Sequence, residues 1–184
     1  MKRARFAQFA ACAFTLLYSA AVMAQAPEPP PEMKRLEGLA GEWTIAGKMM
    51  VSLDQWAEAT GQATIRSALG GKFLEERYQL AFGGTKWDVI CLRSWDAFQQ
   101  IYRVGYFDDQ LGLFDVYEGL YRNGELLVSN VRPNTFFTSG KLKFHTRNRT
   151  YEITADSFKL DWMGSLDDGL TWFPAGTLTY TRRK

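Results

Sequence analysis

Trp43, Ile45, Gly47 and Met49 fall on one phase of a two-residue repeat, and Glu42, Thr44, Ala46 and Lys48 fall on the other. A period of two marks a strand with one covered face, because successive side chains leave a strand on opposite sides. The same signal recurs along the chain, carried by β-branched and aromatic residues and broken by glycine, aspartate and asparagine. It predicts strands near 42–51, 61–69, 72–82, 86–95, 100–107, 112–121, 125–131, 141–147, 149–154, 157–164 and 175–182. Segment 53–59 reads as a loop, with room for a helical turn at Asp54 to Glu58. Met33, Leu36 and Leu39 recur at helical spacing and predict one short helix that plugs an end of the domain.

The breaks have local causes. Gly70-Gly71, Gly83-Gly84 and Asn123-Gly124 supply the positive φ that tight hairpin turns need. Asn148-Arg149 reads as a chain reversal before Tyr151. Many short strands with tight connections make a meander, and a meander hides both edges by closing. The expected fold is all-β, an antiparallel up-and-down β-barrel of about ten strands with a short N-terminal helix over 33–184. An open sandwich is the alternative.

The N-terminus changes the picture of location and charge. Lys2, Arg3 and Arg5 precede an apolar run from Phe6 to Val22, and Ala24 and Ala26 each complete a small-x-small cleavage pattern. Residues 1–26 therefore read as a signal peptide, 27–32 as a proline-rich linker, and the mature protein as periplasmic or secreted, with no stable membrane span. Removing the leader takes three of the 22 basic residues and none of the 20 acidic ones, so the mature chain is close to neutral. No basic stripe points to nucleic acid. Cys91 is the one cysteine beyond the leader and, between Ile90 and Leu92, reads as a buried strand thiol.

Leu36 to Trp43 resembles the start of lipocalin-like (calycin) barrels, where a short helix leads into Gly-x-Trp, here Gly41-Glu42-Trp43. In those proteins an arginine of the last strand covers the Trp ring; Arg182 or Arg183 holds the matching place. The chain is similar, more closely, to a bacterial family of exported lipocalin-like domains of unknown function. The shared features are Gly70-Gly71-Lys72-Phe73-Leu74-Glu75-Glu76, aromatic middle strands (Trp95-Asp96, Tyr102) and a closing Tyr180-x-Arg182. That resemblance brings no catalytic residues. Gly41-Glu42-Trp43-Thr44-Ile45-Ala46-Gly47 also resembles the nitrobindin opening, with Ile45 replacing a glycine, and so raises haem binding as an alternative. Haem there needs a histidine inside the barrel. With Leu142 and Phe144 inward, His145 faces out and is expected to be exposed. Ser165-x-Asp167-x-Gly169-x-Thr171-Trp172 matches the Asp-box of sialidase-like propellers. One copy implies a hairpin turn, with Asp167, Gly169 and Trp172 in structural roles.

Chemistry is otherwise sparse. There is no nucleophile elbow, phosphate loop or dinucleotide fingerprint. A single histidine removes ordinary Ser-His-Asp triads and most zinc sites. No cofactor or metal is called for. What remains is the lumen. On the third strand the phase Leu74, Glu76, Tyr78, Leu80 is more apolar than Phe73, Glu75, Arg77, Gln79 and is placed inward. Trp87, Cys91, Arg93, Trp95, Tyr117 and Trp162 are expected to join it. Glu76, Tyr78, Trp87, Arg93, Trp95, Tyr117 and Trp162 are thus the candidate ligand-binding residues, for a small hydrophobic or amphipathic molecule. The competing readings are a packed barrel core, and an enzyme of small-molecule or lipid metabolism using a buried acid such as Glu76.

Overall fold

The computed structural model describes residues 28–184, so the leader lies outside the described residues. Helix α1 (Pro31–Lys34) and a 3-10 turn (Glu37–Leu39) precede eleven strands. The helix starts inside the proline stretch because Pro31 stands at its first turn, where a missing N–H costs nothing. The strands are β1 (Gly41–Ser52), β2 (Gln55–Ala68), β3 (Phe73–Phe82), β4 (Thr85–Asp96), β5 (Ile101–Asp108) and β6 (Phe114–Arg122). There follow β7 (Glu125–Ser129), β8 (Phe137–Ser139), β9 (Leu142–Tyr151), β10 (Ser157–Ser165) and β11 (Phe173–Arg182).

Each strand pairs antiparallel with the next, except that β7 pairs with β9 past β8, and the β1–β11 ladder, from Trp43↔Arg182 to Met49↔Gly176, closes the sheet. The closed barrel has ten strands; β8 only extends the outer end of β9. Closure leaves the ten ring strands without a free edge, which is what a meander of this length requires.

The two ends of the barrel differ. At the floor, Met33, Leu36 and Leu39 are buried beneath the first strand, as the helical spacing predicts. Trp43 is fully buried there, and its Nε1 donates to the Leu39 carbonyl at 2.9 Å. Phe158 meets Trp43 edge-on at 4.8 Å and stacks on Tyr180 at 4.2 Å. The Tyr102 hydroxyl donates to the Glu32 carbonyl at 2.8 Å, tying the helix across the floor. The opposite end is the mouth, where the β1–β2, β3–β4, β5–β6, β7–β9 and β10–β11 connections gather.

Three local readings need correction. Residues 55–59 are the first part of β2, not a loop: Ala57↔Met49 and Ala59↔Gly47 pair across the hairpin. The inward residues there are small alanines and the outward face carries Trp56 as well as Glu58, so neither phase of the strand's outer half stands out as the apolar one. Asn148-Arg149 does not reverse the chain. Strand β9 runs through it, because Thr146, Asn148 and Thr150 face inward and Arg147 and Arg149 face outward. Both faces are polar, so alternation vanished from the sequence. His145 does lie on the outward phase of β9, yet it is not exposed. It is buried beneath the β7–β9 connection and the Asp-box turn.

Candidate functional site

The Gly83-Gly84 turn sets the register of the β3–β4 hairpin. Phe82 opposes Thr85, so Glu76 opposes Cys91 and Leu74 opposes Arg93. Glu76 and Arg93 are then diagonal neighbours on the inward face. Arg93 Nη2 donates to Glu76 Oε2 at 2.6 Å, and both residues are at most 3% exposed. The pair sits about halfway down the barrel, between Leu80 and Trp87 towards the mouth and Leu74 and Trp95 towards the floor.

A polar belt surrounds it. Tyr78, Cys91, Tyr117 and Tyr180 are buried, and half-buried Tyr106 meets Tyr117 edge-on at 5.1 Å. Asn148 Nδ2 donates to the Tyr106 hydroxyl at 3.1 Å. The Tyr117 hydroxyl bonds Thr146 Oγ1. Burial pushes the Cys91 thiol up to about 12, and burial also raises Tyr78, Tyr106, Tyr117 and Tyr180 well above the usual phenol range. Cys91 is thus a poor nucleophile, and the tyrosines are neutral hydroxyls rather than bases.

The belt is incompletely satisfied. Among the described residues, Glu76 Oε1, Arg93 Nη1, Asn148 Oδ1 and Trp162 Nε1 are buried without a hydrogen-bond partner. All four belong to inward-facing side chains. Such atoms cost about 1–3 kcal/mol each, more when charged, so their concentration in one interior is a specific feature of this barrel. Above the belt, Phe82 stacks on Trp87 at 5.8 Å, and Trp162 faces them from β10; all three are half-buried.

The structure therefore gathers Glu76, Tyr78, Trp87, Arg93, Tyr117 and Trp162 inside the barrel. Trp95 faces inward too, but lower: it packs edge-on against Tyr102 at 5.0 Å as part of the floor. Sequence reasoning missed Tyr106, Asn148 and Tyr180. Tyr180 was legible from its place two residues before the arginine that covers Trp43. Asn148 was not, because the polar run from Thr146 to Thr150 hides the continuation of the strand beyond Phe144.

A second hollow lies outside. A groove of about 610 Å³ runs over the outer face of β2–β5, past Gln62, Thr64, Arg77, Asp88 and Phe107. Several of its polar groups have partners: Arg77 holds Glu75 at 2.5 Å, Thr64 donates to Glu42 at 2.7 Å, and Asp109 accepts from the Asp88 N–H at 2.8 Å. Four of the five buried unpartnered side-chain atoms among the described residues belong to inward-facing residues; the fifth, Arg147 Nε, lies on the outer face of β9.

The other sequence candidates hold structural places. Arg182 lies over the Trp43 ring at 4.2 Å and donates to the Ala40 and Gly38 carbonyls at 2.9 and 3.1 Å. Gly41, at φ +148°, leaves the space that Arg182 Nη1 occupies. In the Asp-box turn, Asp167 accepts from the Thr171 N–H at 2.9 Å and from its hydroxyl at 2.6 Å, and Ser165 Oγ accepts from the Gly169 N–H at 2.8 Å. Gly169 takes φ +86° over the Trp172 ring. Trp172 in turn carries the Arg147 guanidinium at 4.4 Å. The motif is a hairpin turn built on side-chain caps.

His145 does not fit a haem ligand. Its Nδ1 faces Asn130 Oδ1 at 3.2 Å and its Nε2 faces Asp168 Oδ1 at 3.1 Å, so both ring nitrogens are engaged away from the lumen. Nor does Glu76 stand as a solitary buried acid, since Arg93 neutralises it. No group of three or more His, Cys, Asp or Glu side chains is placed to hold a metal ion among the described residues. No helix there is long and apolar enough to cross a membrane.

This architecture is a closed, ten-strand antiparallel barrel with a plugged floor and a polar belt. The chain belongs to the DUF1579 family, proteins of unknown function, whose profile matches residues 28–182. The fold is similar to that of Rv2717c from M. tuberculosis, with a TM-score of 0.60 and 14% identity over 85% of this chain and 100% of that one. It is also similar to the S-type phycobiliprotein lyase CPES from Guillardia theta, with a TM-score of 0.53 and 11% identity over 82% of this chain and 92% of that one. None of the curated protein sequences matches.

Proposed function

We propose that this protein is an exported binding protein that holds a small amphipathic molecule inside its barrel. One observation carries the reading: four polar atoms of inward-facing side chains, all at belt depth or just above it, are buried without partners. Native interiors rarely leave such groups unmatched, and several together point to a guest that completes them. The half-buried aromatic rings of Phe82, Trp87 and Trp162 supply an apolar approach from the mouth. Export rests on the N-terminal pattern, a basic start, an apolar run and small-residue cleavage sites at Ala24 and Ala26.

Native mass spectrometry of protein purified from its own cell envelope, followed by organic extraction, tests this reading. The expected result is a mature chain lacking its leader, with a small adduct that the solvent recovers. A chain of mature mass without any adduct, whose lumen admits no added hydrophobic probe, would return the barrel to a packed core.

An enzymatic role through Glu76 receives less support. Arg93 Nη2 holds Glu76 Oε2 at 2.6 Å, so the carboxylate is already engaged by a neighbouring side chain rather than standing alone before a substrate.

A further inference from the structure

We infer that the barrel selects a guest with an uncharged, hydrogen-bonding head group, and discriminates against carboxylates and ammonium ions of the same shape. This rests on the binding reading above and specifies its ligand class. The determinant is the Glu76–Arg93 pair. Each residue cancels the other's charge, so the belt offers a guest no net charge to neutralise. What the pair still offers is one free donor, Arg93 Nη1, and one free acceptor, Glu76 Oε1. Asn148 adds a free acceptor and Trp162 a free donor. A primary amide, lactam or similar group presents both a donor and an acceptor and can satisfy such a set. A carboxylate presents acceptors only and would face Glu76 Oε1; an ammonium presents donors only and would face Arg93 Nη1. Either ion would also leave water without a countercharge.

The remaining inward charges do not alter this. Asp108 accepts from the Gln110 and Leu111 N–H groups at 3.0 and 2.6 Å. Asp115 accepts from Asn130 Nδ2 at 3.0 Å and from the Thr135 hydroxyl. Both stand at the mouth end and are engaged. Arg182 is committed to the floor. The tyrosines of the belt are neutral.

The test is competition at neutral pH. The full-length mature protein is loaded with Nile red, an uncharged fluorescent probe, and displaced by lauramide, laurate and laurylamine, which share one chain length. Lauramide is expected to displace the probe at concentrations lower than either ion by about tenfold or more. Equal or better displacement by laurate or laurylamine in the wild type overturns the inference while leaving the binding reading intact. Absence of saturable Nile red binding overturns the binding reading itself. Glu76→Gln leaves Arg93 with a net charge, and laurate then becomes the strongest competitor. A Glu76→Gln protein that folds by circular dichroism but keeps the wild-type ranking also overturns the inference. Where that variant does not fold, the wild-type ranking decides alone.

Discussion

The Arg182 guanidinium lies 4.2 Å above the centre of the Trp43 indole, joining the last strand of the barrel to the first. The contact does three things at once. It gives a cation–π attraction, it supplies donors to the Gly38 and Ala40 carbonyls, and it shields the ring that seals the floor. Removing the ring takes away the centre of that arrangement. Trp43→Ala is expected to cost about 3–5 kcal/mol in denaturant unfolding, as for other large buried aromatics. Gly41→Ala should cost roughly 1–3 kcal/mol, because the residue adopts a φ that L side chains rarely take and its Cβ would fall where Arg182 Nη1 lies. A change below about 1 kcal/mol in Trp43→Ala would contradict the burial.

The buried pair makes a prediction about coupling. Glu76→Leu or Arg93→Met alone leaves the other charge inside the barrel and should destabilise by about 3–5 kcal/mol. The double variant removes both charges and should recover most of that loss, or exceed the wild type. Urea titrations of the four proteins give the coupling energy directly. Additive losses would mean that the two side chains do not meet.

The Asp-box turn sets a pH dependence. Hydrogen bonds from the Thr171 hydroxyl, then from the Thr171 N–H and Ser165, hold Asp167 at about 2, below its ordinary 3.8. A depressed carboxylate stabilises the fold above its unfolded value, and that contribution disappears as pH falls through the folded value. Asp167→Ala should therefore lower the melting temperature at neutral pH. Between about pH 4 and pH 2 the wild type should lose stability faster, and the two curves should approach each other. Ligand binding at neutral pH is expected to persist. Binding lost at unchanged stability would show that the turn belongs to the site.

His145 gives a spectroscopic prediction. With Asn130 and Asp168 on its two nitrogens, it is not free to bind iron. Mature protein titrated with haemin should show no Soret shift that depends on this residue. A Soret band abolished by His145→Ala would place the ring in the lumen and contradict its position under the turn.

Much of this fold was written in local patterns. Gly41-Glu42-Trp43, the glycine and asparagine turns, and the apolar phase Leu74, Tyr78, Leu80 were enough for the barrel and for the inward face of β3. The pairing of Glu76 with Arg93 was also within reach. A two-residue turn at Gly83-Gly84 fixes which residues of the hairpin oppose each other, and the two lie one diagonal apart. What failed was the second half of β9, where polar residues occupy both faces, and the outer half of the β1–β2 hairpin, where small alanines face inward and Trp56 faces outward, so that the period of two does not mark the covered face. The burial of His145 was invisible for a different reason. Its cover comes from Phe136, Asn130 and Asp168, up to 23 residues away in sequence and on two separate connections.

Whether the lumen accepts a guest decides between a binding interior and a sealed core. Equilibrium titration of the mature protein with Nile red measures that directly. Apolar burial at about 25 cal/mol per Å² predicts saturable binding with a micromolar Kd, about one probe per chain, and a blue shift from the aromatic mouth. Emission that rises without saturating, or does not rise at all, would contradict a binding interior and leave Glu76, Arg93, Asn148 and Trp162 as parts of a sealed core.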